Sequence, residues 1–261
     1  HRSENPQECT AGYYISGSAF LGILAAMIAG VLIAALYGLI TIPFKQHQVV
    51  TGTALNILTV GLCSFFQRVL FGVPTTPLRV SPLPILPIPL LSKIPYIGQI
   101  FFSQNILTYL MYLIVPLSYF ILYKTSFGLI IRSTGENPVA VDVAGINVDK
   151  VRFLMVLQAG VMGGIAGSFY SIGYLGMFSD NIIGGRGWIA FAIWNPKGAM
   201  IGTIVFGLTE SVAIYMQSLG GIDFFPNELF IAMPYLLTII LTVTRKTYNV
   251  PAKLGVPYLK E

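Results

Sequence analysis

Charged and hydrogen-bonding side chains concentrate in one short segment of the chain, "RSTGENPVAVDVAGINV". The segment spans residues 132–148 and places Arg132, Glu136 and Asp142 between long apolar runs. Charges of both signs on a short, alanine-rich stretch are typical either of a surface turn between two apolar runs or of an element that docks on a partner protein.

The local pattern predicts a short helix within this segment. Pro138 suits the first turn of a helix with Asn137 as its N-cap, and Gly145 suits the end of that helix. Glu136 lies near the positive end of the helix dipole. We therefore expect a helix over about residues 138–144. Because helices below about 12 residues are marginal in water, other structure must hold it in place.

Residue types needed for catalysis or metal binding do not cluster elsewhere in the sequence. The two histidines, His1 and His47, have no cysteine or carboxylate at metal-ligand spacing, and no serine lies in a Gly-x-Ser-x-Gly context. The sequence also has no G-x-x-x-x-G-K-[ST] phosphate loop. We therefore assign no catalytic residue, metal site or cofactor to this chain, and we do not expect it to be an enzyme.

Isolated polar residues within the apolar runs are candidates for binding a solute. Asn56, with Gly52 and Thr53 on a neighbouring helix face, is suited to contact a polar solute or to hydrogen-bond with another helix. Glu210 is the acidic residue placed most deeply in an apolar run. It is suited to line a solute path, to pair with Arg68 or to reach the membrane interface. A proton relay needs more than one such carboxylate, which argues against proton coupling.

The glycine-rich segment "GGRGW", residues 184–188, is a further candidate for a solute path. The start of a half-helix here would direct backbone N–H groups towards the path. A plain turn on the outer side is the alternative interpretation. The residues concerned are Gly184, Gly185, Gly187 and Trp188.

The composition indicates that lipid is the solvent for most of the chain. Of its 261 residues 55% are hydrophobic and 10% charged, against roughly 25% charged in soluble domains. Uncharged runs over residues 11–44, 94–123 and 153–179 exceed the ~20 residues that a membrane-spanning helix needs. We therefore predict an all-α, polytopic integral membrane protein with six to seven transmembrane or re-entrant helices.

The same patterns of apolar length and helix-breaking residues predict where the individual spans and their connectors lie. The proline-rich stretch over residues 73–95 forbids a continuous helix and predicts an extended connector outside the bilayer. The piece over residues 188–194 is too short to cross the bilayer upright and predicts a half-helix or tilted span. Full spans are expected at about residues 14–38, 49–70, 105–123, 151–174, 199–217 and 229–244.

Basic residues predict the orientation in the membrane. On one side lie ten of them: Lys45, Lys124, Arg132, Lys150, Arg152, Lys197, Arg245, Lys246, Lys253 and Lys260. The opposite side has five: Arg2, Arg68, Arg79, Lys93 and Arg186. The positive-inside rule places segment 132–148 in the cytosol and the proline-rich connector outside. Because the net charge of +5 comes from these scattered positions and not from a basic stripe, we do not expect nucleic-acid binding.

A faint internal repeat links two of the predicted spans. Sliding the chain by 146 positions superposes "TGTALNILTVGLCS" on "KGAMIGTIVFGLTE" and aligns Gly52 with Gly198 and Gly61 with Gly207. Membrane transport proteins are often built from duplicated halves. Chance similarity between apolar sequences explains the match equally well.

Several segments resemble one family. "TSFGLIIRSTGENPVAVDVAGINVDKVRF" resembles the cytoplasmic coupling loop of ABC-importer permeases in the ribose and branched-chain amino-acid branch. "PLLSKIPYIGQIFFSQNILTYLMYLIVPLSYFILYKT", "GRGWIAFA" and "WNPKGA" are similar to its nucleoside and simple-sugar members. The resemblance covers about residues 12–245. It implies a membrane permease domain over residues 1–245, lacking the N-terminal span of the family, and a cytoplasmic tail over residues 246–261.

The resemblance implies an ATP-driven importer for nucleosides or simple sugars, located in the inner (plasma) membrane as a multi-pass protein. This chain would be its permease subunit. Expected partners are ABC ATPase subunits that bind ATP and Mg²⁺, a second permease subunit, an extracellular or periplasmic substrate-binding protein, and membrane lipid. Coupling to the ATPase would involve Gly135, Glu136, Asn137, Pro138, Ala140, Ala144 and Gly145.

The sequence departs from the family pattern in one internal segment. Between "GRGWIAFA" and "WNP" only Ile193 intervenes, whereas the family has several more residues, so the half-helix and the path beside it are shortened. Three alternative functions remain open. They are a branched-chain amino-acid ABC permease, an ion-coupled secondary transporter and a membrane enzyme.

Overall fold

The computed structural model describes residues 18–72, 78–79, 82–89, 92, 97–178, 196–218, 227–244 and 251–258. Within these ranges the chain is mainly helical. Five helices, covering residues 19–41, 48–70, 106–124, 148–175 and 198–218, are long and apolar enough to cross a membrane. The prediction of an all-α polytopic membrane protein is confirmed. The expected half-helix over residues 188–194 lies outside the described residues.

The six predicted spans and the short helix after Asn137 are present among the described residues, together with two helices and four short strands that the sequence did not predict. The helices are α1 (Ala19–Thr41), α2 (Gln48–Phe71), α3 (Ile97–Phe102), α4 (Ile106–Lys124), α5 (Ser126–Glu136), α6 (Pro138–Val143), α7 (Val148–Ser168), α8 (Pro196–Ser218) and α9 (Asn227–Thr244). The strands are β1 (Leu78–Arg79), β2 (Ile85–Pro87), β3 (Ser103–Asn105) and β4 (Met177–Phe178).

Helices α1 and α7 form the closest helix pair of the described residues. They run antiparallel, because Gly38 lies against Phe153 while Gly30 lies against Gly160 and Gly164. A Cβ atom built on Gly160 would meet the Gly30 carbonyl oxygen and lie 2.6 Å from the Ala34 Cβ. Small residues therefore let the two backbones touch, as is common between helices in lipid.

The described strands of the proline-rich connector pair with residues at the end of α7 and the start of α4. Strand β1 pairs with β4 just after α7, and β2 pairs with β3 just before α4, both antiparallel. The Leu83 N–H also donates to the Ile172 carbonyl oxygen at 3.1 Å. The extended conformation was predicted, whereas the pairing partners were not, because pairing depends on contacts distant in sequence.

Asn105 joins the start of α4 to the π-helical segment that continues α7. Its Oδ1 accepts from the Thr108 backbone N–H at 3.0 Å, and its Nδ2 donates to the Gly173 carbonyl oxygen at 2.8 Å. Gly173 belongs to a π-helical segment, Phe169–Leu175, that continues α7. A π-helix leaves some main-chain N–H and C=O groups without well-aligned hydrogen-bond partners, and the buried Asn105 amide supplies a donor for one such carbonyl group.

The ends of the elements gather on two opposite faces. The connector strands contact the start of α4 and the end of α7, which the expected topology places outside. Residues 251–258 contact the end of α5 and the start of α7, which it places in the cytosol. Most apolar side chains of the long helices are exposed in this single chain. That exposure is expected where lipid or a second subunit covers them.

Candidate coupling site and transport path

A sharp corner separates the membrane helix α4 from helix α5. Thr125 has extended backbone angles, φ −117° and ψ 155°, and its hydroxyl oxygen accepts from the Gly128 N–H at 3.1 Å. A Cβ atom on Gly128 would lie 2.5 Å from the Leu122 carbonyl oxygen. The threonine cap starts the new helix, and the glycine lets it turn closely against the old one.

The short helix α6 is capped at both ends by the residues that the sequence suggested. Asn137 Oδ1 accepts from the Ala140 N–H at 3.2 Å, and Pro138 occupies the first helical position. At the other end Gly145 has φ +82°, a left-handed conformation that glycine adopts without strain. The predicted helix, its N-cap and its terminating glycine are confirmed.

Two crossed hydrogen bonds close the end of α6. The Ile146 N–H donates to the Val141 carbonyl oxygen at 3.2 Å, and the Gly145 N–H donates to that of Asp142 at 2.9 Å. This is a Schellman motif, which satisfies the last carbonyl groups of a helix. The caps therefore satisfy main-chain groups at both ends of this six-residue helix, and packing against neighbouring helices must supply the rest of its stability.

Helix α6 has one buried face and one exposed apolar face. Pro138 and Val141 are buried, with Val141 only 5% exposed, and α6 contacts α5 and α7. Val139 and Val143, one turn apart, are 57% and 84% exposed. Apolar side chains displayed outside the bilayer on a fixed helix are typical of a protein-docking surface.

Two of the predicted coupling residues contact the end of the same chain. The Lys253 N–H donates to the Gly135 carbonyl oxygen at 3.0 Å, and the Ala252 N–H donates to Glu136 Oε2 at 3.4 Å. Pro251 lies close to Gly135, since a Cβ atom on the glycine would be 3.3 Å from the Pro251 Cβ. Gly135 and Glu136 therefore have intramolecular contacts in addition to any role at a partner surface.

The structure brings all seven predicted coupling residues together in one turn-helix-turn unit. Gly135 and Glu136 end α5, Asn137 and Pro138 begin α6, and the remaining residues lie along or just after α6. Ala140, Ala144 and Gly145 are exposed, as is Asn137. Their part in coupling stays a prediction.

The predicted path residues lie on two separate membrane helices or outside the described residues. Asn56 and Thr53 are exposed on α2, where the Thr53 hydroxyl donates to the Val49 carbonyl oxygen at 2.9 Å, and Gly52 faces Tyr37 on α1. Glu210 is half-buried on α8, which packs mainly against α9 and α4. Residues Gly184, Gly185, Gly187 and Trp188 fall outside the described ranges. The path assignment stays a prediction.

Helices α3 and α5 and the contacts of residues 251–258 were not predicted from the sequence. A signal for α5 exists, because Thr125 three residues before Gly128 is a plausible N-cap, but the apolar piece that follows it, residues 126–131, is too short to indicate a span. The C-terminal contact has no local signal, since it joins residues more than one hundred positions apart.

Comparisons with known proteins identify the family to which this sequence is similar. The sequence model of a family described as "Branched-chain amino acid transport system / permease component" matches residues 8–242. The nucleoside ABC transporter permease protein NupC of Lactococcus lactis is 36% identical over 258 residues, covering 96% of this chain and 81% of that protein. The guanosine ABC transporter permease protein NupQ of Bacillus subtilis is 37% identical over 248 residues, covering 92% and 78%.

A third relative carries a different substrate name. The putative glucose ABC transporter permease protein TsgC13 of Haloferax volcanii is 31% identical over 214 residues, covering 78% of this chain and 64% of that protein. No solved structure matches the chain. The family model spans most of the chain, including every helix from α1 to α8. The chain therefore belongs to the family of branched-chain amino acid transport system permease components and is a multi-pass protein of the plasma membrane.

Proposed function

We propose that this chain is the membrane permease subunit of an ATP-driven importer for nucleosides, coupled to a separate ATPase through α6. The observation that carries the proposal is the exposed apolar face of α6. Val143 is 84% exposed on a helix that is capped at both ends and packed on its other face. An exposed, well-fixed apolar helix in the cytosol fits a groove on a partner protein.

The coupling step follows from how α6 is attached. Its Val141 is buried, one residue separates α6 from α5 and four separate it from α7, and it contacts both helices, so a displacement of α6 would move both of them. Helix α7 in turn contacts α1 along its length. Two ATPase subunits that close on ATP and Mg²⁺ would draw two such α6 helices together, and the spans would expose the path first outside and then inside.

The nucleoside assignment is supported by the two relatives named for nucleosides and guanosine, each matching more than nine tenths of this chain. A simple sugar is the second candidate, because the Haloferax volcanii relative is a putative glucose permease at lower identity. Within the transport path we propose Gly52, Thr53 and Asn56 on α2 and Glu210 on α8 as residues near the solute. An external substrate-binding protein would deliver the solute to the outer face.

The substrate is tested by uptake in cells that lack this gene. Labelled guanosine, glucose and leucine are supplied separately to the deletion strain and to the same strain carrying the gene on a plasmid. We expect the gene to restore guanosine uptake, with unlabelled nucleosides competing and glucose and leucine failing to compete. Restored glucose uptake alone would favour the sugar assignment, and restored leucine uptake alone would favour an amino-acid permease.

A second arm of this experiment tests the candidate path residues. Asn56→Ala removes an amide that is exposed on α2, whereas Gly61→Ala changes a glycine on the same helix with nothing within 4 Å of the added Cβ. If Asn56 contacts the solute, Asn56→Ala raises the concentration needed for half-maximal guanosine uptake and Gly61→Ala does not. Equal uptake curves for both variants and the unchanged protein would remove Asn56 from the path.

A further inference from the structure

The last described residues of the chain return to the cytoplasmic corner that holds α6. We call residues 251–258 the C-terminal clasp. The clasp contacts the end of α5 through the Lys253 N–H on the Gly135 carbonyl oxygen, 3.0 Å, and the Ala252 N–H on Glu136 Oε2, 3.4 Å. It contacts α7 through Arg152, whose Nη1 donates to the Val256 carbonyl oxygen at 3.0 Å.

The clasp has a turn-rich shape of its own that fits these contacts. The Leu254 N–H donates to the Pro251 carbonyl oxygen and the Val256 N–H to that of Lys253, and Gly255 has φ +76° between them. The turns direct two main-chain N–H groups towards α5 and one carbonyl group towards α7. The Gly135 carbonyl lies in the last turn of α5, where no helical N–H remains to satisfy it, so the Lys253 N–H fills a vacant bond.

The positions of these contacts relate the clasp to α6. Gly135 and Glu136 immediately precede the Asn137 cap of α6, and Arg152 lies soon after the loop that follows α6. The clasp therefore bridges the two elements that flank α6. With the bridge in place, α5 and α7 cannot separate without breaking either the Arg152 hydrogen bond to the clasp or the two hydrogen bonds from the clasp to α5.

We propose that the C-terminal clasp is a positioning element of the ATPase-docking surface, and that Glu136 and Arg152 act on coupling by holding the clasp. This inference rests on the proposed function, because it assigns a role within the same coupling unit. In this account the ATPase contacts the exposed face of α6. The clasp keeps that face in the orientation in which motion of the ATPase is passed to the membrane helices. Loss of the clasp leaves docking possible but makes transmission inefficient.

The proposal is tested with the intact permease–ATPase complex in proteoliposomes, by measuring solute taken up per ATP hydrolysed. The variants are a chain ending at Val250, Glu136→Ala and Arg152→Leu. The matched control is Lys150→Leu, which removes a basic residue one helical half-turn from Arg152. We expect each point variant to lower the solute-to-ATP ratio by about two- to fivefold, as one exposed hydrogen bond allows, with the Lys150→Leu control unchanged.

A second measurement reports the clasp directly and needs no transport. Hydrogen exchange at the Ala252 and Lys253 amides should be slow in the unchanged protein and faster in Arg152→Leu, but not in Lys150→Leu. Exchange as fast as in an unstructured peptide, or an unchanged solute-to-ATP ratio in the chain ending at Val250, would overturn the clasp proposal. ATP-independent uptake by the unchanged complex would instead overturn the proposed function, which separates the two failures.

Discussion

Gly145 ends α6 because its backbone adopts the left-handed conformation, and not because neighbouring atoms leave no room for a side chain. It has φ +82°, and a Cβ atom added there would meet nothing within 4 Å. Gly145→Ala therefore introduces backbone strain of about 1–2 kcal/mol without a steric clash. We expect it to loosen the Schellman closure and to lower ATP-driven uptake at equal amounts of protein in the membrane.

The control for Gly145→Ala is Gly145→Asn, because asparagine tolerates the left-handed conformation better than alanine does. Uptake should therefore rank glycine first, asparagine second and alanine last. Equal uptake by all three proteins would show that the left-handed turn has no part in coupling.

Two glycines of α7 should respond in opposite directions to the same substitution. Gly160→Ala places a methyl group against the Gly30 carbonyl and 2.6 Å from the Ala34 Cβ, whereas Gly163 has nothing within 4 Å. We expect Gly160→Ala to destabilise the detergent-solubilised protein by about 1–3 kcal/mol. Gly163→Ala should be neutral or stabilising by up to about 1 kcal/mol, because alanine favours helices. Thermal unfolding midpoints measure both, and a common shift would contradict the close α1–α7 contact.

The residue-scale features that sequence reasoning predicted are those with a local cause. Asn137, Pro138 and Gly145 each carry their own backbone preference, so the bounds of α6 followed from three side chains. The Glu136 and Arg152 contacts with the clasp have no such local cause. They depend on where the chain returns after α9, and charge alone does not determine that.

At the scale of elements, the exposed face of α6 makes a specific prediction. Val143→Asp places a carboxylate on the surface proposed to enter the ATPase groove, where burying an unpaired charge is costly. We expect the affinity for the ATPase subunit to fall by about tenfold or more, with membrane insertion unchanged. Val143→Ile, which keeps the surface apolar, should bind nearly as the unchanged protein does. Co-purification at a range of salt concentrations measures the difference, and equal binding by both variants would exclude this face from docking.

The spans were predictable as elements, whereas the short elements between them were not. Apolar length alone locates α2, α4 and α8 to within a few residues, because a bilayer fixes how much apolar chain is needed. Helix α5 was missed because the apolar piece after Thr125 is too short to indicate a span, and the turn at Thr125 depends on a single hydroxyl. The strand pairs of the connector were missed because two- and three-residue strands have no periodic signal.

At the scale of the whole molecule, two groups of contacts lie at opposite ends of α7, and the predicted orientation places one outside and the other in the cytosol. The connector contacts the start of α4 and the end of α7, and the clasp joins α5 to the start of α7. Cysteines placed at Leu86 and Lys150, both exposed, should therefore react with a membrane-impermeant maleimide from opposite sides. Cys9 and Cys63 are first replaced by serine.

In whole cells only Leu86→Cys should be labelled, and Lys150→Cys should become reactive after the membrane is opened. Labelling of Lys150→Cys in intact cells would place α6 outside and end the coupling account. Labelling of both positions from one side would contradict the division into two faces. The direction of insertion was predicted from ten basic residues on one side against five on the other.

The central claim is that α6 transmits work from a separate ATPase, and ATP-dependent accumulation tests it most directly. The complex is reconstituted in proteoliposomes with its binding protein, and labelled guanosine is followed with Mg-ATP on the ATPase side, without nucleotide, and with an imposed ion gradient alone. The account predicts accumulation only with Mg-ATP, and its loss in Val143→Asp while Val143→Ile retains it. Accumulation at the same rate without the ATPase subunits, or driven by the ion gradient alone, would contradict it.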